Sequence, residues 1–237
     1  MTTDNRAHLL CAYIAEHPRE SLQNKPWALI AVIEEFVNTK SQMMIFRGSK
    51  MKIARMALES MPVKPRVILD FGTYIGNSVL GWGAILKGLH GPDAAAQGCR
   101  VYTFELDPGM VRLASYLVQL AGLDDIVHVL EGPASESLKR LYEEGQIARG
   151  GVDMVFFDHW ERHYLADLLL CEELRIFREG SLAIADNTDM PGAPQYLQHV
   201  RAGGAGPGMV RYETRSYEST AKKGRPNIIE ISTVIEP

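Results

Sequence analysis

Apolar residues recur with a helical period over roughly the first 60 residues of the chain. Three segments show this period: "NRAHLLCAYIAEH", "PWALIAVIEEFVN" and "SKMKIARMALESM". Asp4 or Asn5 can cap the first segment, and Pro26 stands at a favoured first helical position of the second. Pro62 follows the third segment and ends it. The pattern predicts three helices before the first strand.

From Arg66 onward the pattern changes to short, almost wholly apolar runs that alternate with helical segments. The runs are "RVILDFG", "RVYTFELD", "DIVHVLEG", "VDMVFFD" and "GSLAIADN", and the helix after the fourth run is "RHYLADLLLCEELRIF". Strands that alternate with helices predict an α/β fold with a parallel sheet. Runs that are apolar nearly throughout are typical of strands covered by helices on both faces.

Two further runs, "MVRYETRSY" and "NIIEISTVI", lie near the end of the sequence. The basic segment "KKGR", from Lys222 to Arg225, separates them, and we interpret it as a solvated loop. Because no helical pattern stands between the two runs, they are expected to pair antiparallel.

Composition and charge exclude several classes of protein. The 237 residues carry a net charge of −4, without the clustered basic surface of a nucleic-acid-binding protein. No apolar run approaches the roughly 20 residues of a membrane span, and the N-terminus does not resemble a signal peptide. Cys11, Cys99 and Cys171 form neither a zinc spacing nor a disulfide framework. These features favour a soluble cytoplasmic protein that binds neither nucleic acid nor a membrane.

Four of the predicted strands end on an acidic residue: Asp70, Glu105, Asp158 and Asp186. Ligands of open α/β sheets bind beyond the carboxyl ends of the strands. Asp158 and Asp186 follow strands that a single crossover should make neighbours. With the amide oxygen of Asn187 they form a hard donor set that suits Mg²⁺. The alternative is that both carboxylates cap the helices that follow.

The segment "DFGTYIGNS" joins the first strand to the next helix through a glycine turn. Its spacing differs from the dinucleotide fingerprint G-x-G-x-x-G, which disfavours a nicotinamide dehydrogenase. Gly72 lets a ligand approach the backbone, and the N–H groups near Gly76 can hold a carboxylate. Glu105 is placed to accept both hydroxyls of a ribose, or it is a turn acid before Pro108. Together these residues fit S-adenosylmethionine.

The chain resembles the catechol O-methyltransferase family. The resemblance is carried by "DMVFFDHWERHYLADLLLCEELRIFREGSLAIADN", "DMPGAPQYLQHVR", "LDFGTYIGNS" and "FELDP", and it extends roughly from Met43 to Glu218. It implies a Rossmann-like methyltransferase fold: a seven-stranded, mostly parallel sheet with helices on both faces and an antiparallel last strand pair. We expect a single domain over residues 1–237, with N-terminal helices and a lid in residues 1–62 and the α/β core in residues 63–237.

The resemblance also implies roles for individual residues. The Mg²⁺ ligands are Asp158, Asp186 and Asn187. The residues that contact the methionine part of the cofactor are Gly72, Tyr74 and Ser78, with Gly76 at the helix start. Glu105 holds the ribose, while Leu106, His159 and Trp160, next to Asp158, surround the adenine. The substrate contacts are Trp160, Pro191, Asn187 and Glu218, whose carboxylate hydrogen-bonds the catechol.

The sequence departs from the family at two places. Glu161 stands where the family has a lysine, its general base, and Ala134 and Ser135 stand at the positions of a serine and an adenine-contacting glutamine. The expected reaction is Mg²⁺-dependent methyl transfer from S-adenosylmethionine to a small catechol-type substrate by a monomer or weak homo-oligomer. Two alternatives stay open: a related vicinal diol, such as a cationic one paired with Glu161, and a non-catalytic cofactor-binding homologue.

Overall fold

A computed structural model describes residues 5–206, 208–220 and 226–237 of the chain. The N-terminal region forms helices α1 (Asn5–Ala15), α2 (Arg19–Leu22), α3 (Pro26–Thr39) and α4 (Gly48–Glu59). The three expected helices are therefore present, with the short α2 between the first two. The predicted solvated loop, Lys222 to Arg225, lies outside the described residues.

The rest of the chain alternates strands with helices, as the apolar runs predict. The strands are β1 (Val67–Phe71), β2 (Arg100–Glu105), β3 (Val127–Glu131), β4 (Val152–Phe157), β5 (Phe177–Asp186), β6 (Arg211–Thr220) and β7 (Pro226–Glu236). The helices between them are α5 (Asn77–His90), α6 (Pro108–Leu120), α7 (Ala134–Glu143), α8 (Tyr164–Glu173) and α9 (Pro194–Arg201).

The seven strands form one sheet in the order β3-β2-β1-β4-β5-β7-β6. Strands β1 to β5 pair parallel, and β7 pairs antiparallel with both β5 and β6. The Rossmann-like α/β fold with an antiparallel last pair is thereby confirmed. The chain order reverses direction between β1 and β4, and ligands of such sheets bind at that point.

Helices cover both faces of the sheet. Alternate residues of β4 point to opposite sides, so Met154 and Phe156 pack in one core while Val155 and Phe157 pack in the other. The first core also contains buried residues of α1, α3, α4, α5 and α6, and the second contains those of α7, α8 and α9. The strands therefore bury apolar side chains on both faces, as their continuous apolar runs predict.

The predicted C-terminal boundary of the helix after the fourth strand is wrong. The sequence pattern continues it to Phe177, whereas α8 ends at Glu173, and β5 begins at Phe177 rather than at Gly180. Arg175 adopts a left-handed conformation with φ of 53° and turns the chain into the strand. Because this turn uses a non-glycine residue, no sequence signal separates the helix from the apolar residues that follow.

The described cysteines are free: Cys99 and Cys171 are buried, and Cys11 is partly buried. In the part of the chain that the structure describes, no helix is both long and apolar enough to cross a membrane.

Candidate active site

A cleft of about 890 Å³ lies at the carboxyl edge of the parallel strands. Its walls come from the loops after β1, β2, β4 and β5 and from the segment before α4. Gly132 and Ala134, near the start of α7, complete the lining. The predicted site residues that line it are Gly72, Tyr74, Ser78, Glu105, Leu106, Ala134, Asp158, His159, Trp160, Glu161, Asp186, Asn187 and Pro191. The fold thus gathers residues from widely separated parts of the sequence around one cavity.

Asp158, Asp186 and Asn187 meet at the ends of β4 and β5. These strands pair in parallel register up to Phe157 and Ala185, so the residues that follow lie side by side. The amide Nδ2 of Asn187 donates to Oδ1 of Asp158 over 3.2 Å, and its backbone N–H donates to Oδ1 of Asp186 over 2.9 Å. Two carboxylates and one amide therefore converge at one point of the cleft.

Lys50 enters this group from α4 and was not predicted from the sequence. Its side chain is buried, and its ammonium group Nζ contacts Oδ1 of Asp186. A signal existed in the helix pattern: Lys50 shares its buried stripe with Ala54 and Leu58, where an unpaired lysine is not expected. A buried lysine on an apolar stripe needs a carboxylate partner, but the sequence does not identify which carboxylate it meets.

Burial and mutual repulsion act on the carboxylate pair. The pKa of Asp158 is raised well above its usual range, first by burial and then by the charge of Asp186. Burial also raises the pKa of Asp186, although Lys50 opposes that change. Both carboxylates are therefore harder to ionise here than in water, and a divalent cation would offset that effect.

The donor set fits Mg²⁺ better than a transition metal. Carboxylate and amide oxygens are hard ligands, and the partly exposed Asp158 leaves room for oxygen atoms of water or substrate. Among the described residues, no group of three or more His, Cys, Asp or Glu side chains could hold a metal ion. Any metal at this point therefore depends on the two aspartates, Asn187 and oxygen ligands from outside the protein.

The loop after β1 passes directly under the metal-ligand candidates. Gly72 has φ of +125°, and a Cβ there would lie 2.6 Å from the backbone oxygen of Asp158. Glycine is thus required by close packing of two backbones. Gly76 also has positive φ, but its missing Cβ makes room for Ala114 of α6, at 3.2 Å, and Gly76 is not among the residues that line the cleft.

Glu105 fixes the turn that borders the cleft. Its Oε2 accepts the backbone N–H of Tyr74 over 2.7 Å, and its Oε1 accepts that of Asp107 over 2.9 Å. Tyr74 itself has φ of 47°, a conformation that non-glycine residues adopt only with support. A carboxylate has about four acceptor positions, so Glu105 can hold this turn and still accept hydroxyl groups.

The side chains of His159 and Trp160 differ in their contacts and in their exposure. His159 stacks on Tyr164 with ring centroids 5.3 Å apart, and its Nε2 is 2.7 Å from Oδ2 of Asp167. Trp160 is 65% exposed at the mouth of the cleft. The guanidinium of Arg162 lies 4.1 Å from the centroid of the Trp160 indole. The imidazole is therefore held rigidly, while the indole forms part of the cleft mouth.

Three predicted site residues do not line the cleft. Gly76 packs on α6, as described above, and Ser135 lies in the first turn of α7, behind Ala134. Glu218 is exposed on β6, whereas the next residue, Ser219, is buried and donates to Oγ of Ser49 over 2.8 Å. Because side chains alternate along a strand, Glu218 faces away from α4 and from the cleft.

The structure also corrects the predicted position of Asp70 as the last residue of its strand. It lies within β1, one residue before the end of the strand, and is fully buried. Its carboxylate accepts hydrogen bonds from Nε1 of Trp82 over 2.7 Å and from Oγ1 of Thr103 over 3.0 Å. Burial outweighs these bonds and raises the pKa of Asp70 to about 7. Asp70 therefore supports the loop from behind and does not reach the cleft.

The segment before α4 closes one side of the cleft. Phe46 is buried against Phe156 with ring centroids 4.7 Å apart, and its carbonyl accepts Nδ2 of Asn77 over 2.8 Å. Met44, two residues earlier, is 85% exposed. The buried phenylalanine anchors the segment, and the exposed side chain of Met44 lies on the same stretch of the cleft lining.

The comparisons with known proteins agree with this arrangement. A family model described as a methyltransferase domain matches residues 69–188, about half of the chain. The catechol O-methyltransferase of Sus scrofa is 38% identical over 156 residues, which are 66% of this chain and 75% of that protein. The catechol O-methyltransferase of Bos taurus is 30% identical over 201 residues, 85% of this chain and 67% of that protein.

Solved structures share the fold at lower identity. The O-methyltransferase TomG from Streptomyces achromogenes, in complex with SAM, superposes with a TM-score of 0.64 at 19% identity and full coverage of both chains. An O-methyltransferase from Bacillus cereus, in complex with SAH, gives a TM-score of 0.56 at 19% identity over 92% of this chain and all of that one. These structures show the shared fold. The family model and the sequence relatives show that the chain belongs to the catechol O-methyltransferase-like group of class I S-adenosylmethionine-dependent O-methyltransferases.

Proposed function

We propose that this chain transfers a methyl group from S-adenosylmethionine to one hydroxyl of a catechol-type vicinal diol, with Mg²⁺ held by Asp158, Asp186 and Asn187. The observation that carries the proposal is the convergence of these three side chains inside the cleft. There, Nδ2 of Asn187 lies 3.2 Å from Oδ1 of Asp158. When bound there, Mg²⁺ would chelate both vicinal oxygens and lower the pKa of one.

The reaction itself needs little covalent chemistry from the protein. The phenolic oxygen attacks the sulfonium methyl group in line, the new O–C bond forms as the C–S bond breaks, and the phenol proton goes to solvent. Trp160 and Pro191 line the cleft, and we assign them to the wall that the substrate would contact. Such walls contribute by holding the diol in an attacking orientation.

The charged side chains of the cleft do not by themselves favour an ionised phenol, because Lys50 is paired with Asp186 while Asp158 and Glu161 are acidic. A bound divalent cation would offset their charge and lower the pKa of the phenol, which is about 10 when unperturbed. Glu161 is not assigned as the general base, because a carboxylate would repel the developing phenolate. Deprotonation is therefore assigned mainly to the charge that Mg²⁺ would supply.

The test is incubation of the purified protein with radiolabelled S-adenosylmethionine and unsubstituted catechol. Label should enter the catechol with Mg²⁺ present, stop when a chelator is added, and resume when excess Mg²⁺ is restored. Resorcinol is the matched control, since its two hydroxyls are not vicinal and cannot chelate one metal ion. Methylation of catechol that the chelator leaves unchanged, or equal methylation of resorcinol, would overturn the proposed role of the metal.

A further inference from the structure

The side chain of His159 lines the cleft, and Asp167 of α8 contacts it from outside the cleft. Nε2 of His159 lies 2.7 Å from Oδ2 of Asp167, and the two side chains are 21% and 11% exposed. A carboxylate accepts hydrogen bonds, so Nε2 carries the hydrogen of this contact. Asp167 is not among the residues that line the cleft, so the direct route from Asp167 to a bound ligand runs through His159.

Two contacts determine the orientation of the His159 ring. Tyr164 stacks on the imidazole with the ring planes 16° apart, which fixes the plane of the ring. Stacking alone permits a rotation of about 180° around the Cβ–Cγ bond, because this torsion of histidine is broad and roughly two-fold. Nδ1 is buried and has no hydrogen-bond partner among the described residues. The bond from Nε2 to Asp167 is therefore the contact that selects one of the two settings.

Asp167 also has an alternative role at the start of α8. It is the acidic residue in the first turn of this helix, where a negative charge interacts favourably with the helix dipole. That role depends on the charge of the carboxylate, whereas orientation of His159 depends on a hydrogen-bond acceptor at the same place. An asparagine side chain removes the charge and keeps an acceptor oxygen, so substitution separates the two roles.

The place of His159 in the cleft indicates which part of the cofactor it meets. Its stacking partner Tyr164 belongs to the second core, and Ala134, which lines the cleft at the start of α7, packs against that core too. Glu105, at the end of β2, can accept the ribose hydroxyls, and the metal-ligand candidates lie beyond β1, at β4 and β5. A cofactor whose sulfonium group faces those candidates extends its adenine the other way, toward β3 and α7.

We propose that Asp167 is a positioning residue for the cofactor: it fixes the imidazole of His159 in one orientation, and the fixed ring forms one wall of the adenine pocket. A wall that is ordered before the cofactor arrives loses less entropy on binding than a side chain that the cofactor must immobilise. The contribution of Asp167 therefore appears as affinity for adenine-bearing ligands, and it depends on neither the methyl acceptor nor a metal ion.

Calorimetry with S-adenosylhomocysteine and with adenosine tests the proposal without turnover. Asp167→Leu should weaken the binding of both ligands about fivefold, the scale of one side chain left to be immobilised on binding. Asp167→Asn should keep both dissociation constants within about twofold of the wild-type values, because its amide oxygen still accepts from Nε2. Equal affinities in the two variants, with or without a loss relative to wild type, would overturn the proposal.

Urea unfolding shows whether each variant is folded at the temperature of the calorimetry. Asp167→Ala, which also lacks an acceptor, replaces Asp167→Leu if the leucine variant does not fold. Glu173→Leu is the matched control, because it removes an exposed carboxylate from the same helix and does not line the cleft. Its affinity for both ligands should equal that of the wild type.

A double-mutant cycle tests whether Asp167 acts through His159. His159→Phe keeps a flat ring but has no nitrogen that could bind a carboxylate. In the His159→Phe background, the further change Asp167→Leu should leave the dissociation constant of S-adenosylhomocysteine unchanged. The same loss in both backgrounds would show that Asp167 acts by another route and would contradict the proposal.

These measurements are independent of the proposed function, because no methyl acceptor is present. Failure to methylate catechol would leave the binding comparisons intact. Equal binding by the leucine and asparagine variants would in turn leave the proposed methyl transfer to catechol unaffected.

Discussion

Lys50 of α4 and Asp186 at the end of β5 form a buried ion pair across 136 positions of the sequence. This pair joins the N-terminal helices to the carboxyl edge of the sheet. It also places one cation among the side chains that we assign to the metal, so the charge of the site depends on a helix outside the strand–helix repeat.

Substitution of Lys50 tests that dependence. Lys50→Met should lower the free energy of unfolding by about 3 kcal/mol without Mg²⁺, because Asp186 stays buried without its cation. Added Mg²⁺ stabilises the folded state that binds it. The gain should be larger in the variant than in the wild type, because Asp186 has lost its cation only in the variant. Urea unfolding with and without Mg²⁺ measures both effects.

Lys52→Met is the control for that experiment, because Lys52 is exposed on the same helix. Its unfolding free energy and its response to Mg²⁺ should match those of the wild type. If Lys50→Met behaved like Lys52→Met, the ion pair would have no energetic role.

Asp158 and Glu161 should differ strongly in their importance for methyl transfer to unsubstituted catechol. Asp158→Asn removes an anionic ligand and should lower kcat/KM by more than about a hundredfold. Glu161→Gln should cost less than about tenfold, because a carboxylate at that position is a poor base. Steady-state kinetics at saturating Mg²⁺ gives the comparison, and equal loss in both variants would contradict a deprotonation assigned to the metal.

Gly72 should tolerate no side chain. In Gly72→Ala the new Cβ would meet the backbone oxygen of Asp158 at 2.6 Å, and φ of +125° is strained for alanine. We expect a loss of about 2 kcal/mol or more in unfolding free energy, together with weaker binding of S-adenosylhomocysteine. Gly88→Ala, at an exposed helical position with no atom within 4 Å, should instead leave the stability unchanged or raise it.

Asp70 should make stability fall as the pH rises. Its pKa is about 7 in the folded protein against 3.8 ordinarily, so between these values the folded state binds more protons than the unfolded state. Stability contributed by this group is present at low pH and lost toward pH 7, by about 3 kcal/mol between about pH 5 and about pH 8.

Asp70→Asn should remove that component of the pH dependence, whatever its effect on absolute stability. Denaturant unfolding at both pH values measures the difference for each protein. Asp124→Asn changes an exposed acid and should retain the wild-type pH dependence. A slope that survives in Asp70→Asn would mean that other groups produce it.

The sequence predicts the fold well because β1, β2, β4 and β5 are buried on both faces. Their short apolar runs are therefore easy to distinguish from the helical segments between them. It also places Asp158, Asp186 and Asn187 together, since parallel neighbours end at the same edge. It fails where a local exception decides the structure: Arg175 ends α8 without a glycine. Lys50 was missed for a different reason, because its partner is fixed only by how α4 packs across the sheet edge.

The hydrogen bond from Ser219 to Ser49 and the ion pair of Lys50 attach the same helix to two different strands of the sheet. Ser49, Lys50 and Ser219 lie outside residues 69–188, which match the methyltransferase domain, whereas Asp186 lies within them. Relatives that share the catalytic strands can therefore differ in the charge of the site through changes in α4 alone. The local charge beside Asp186 can thus diverge within the family while the carboxylates at the strand ends stay the same.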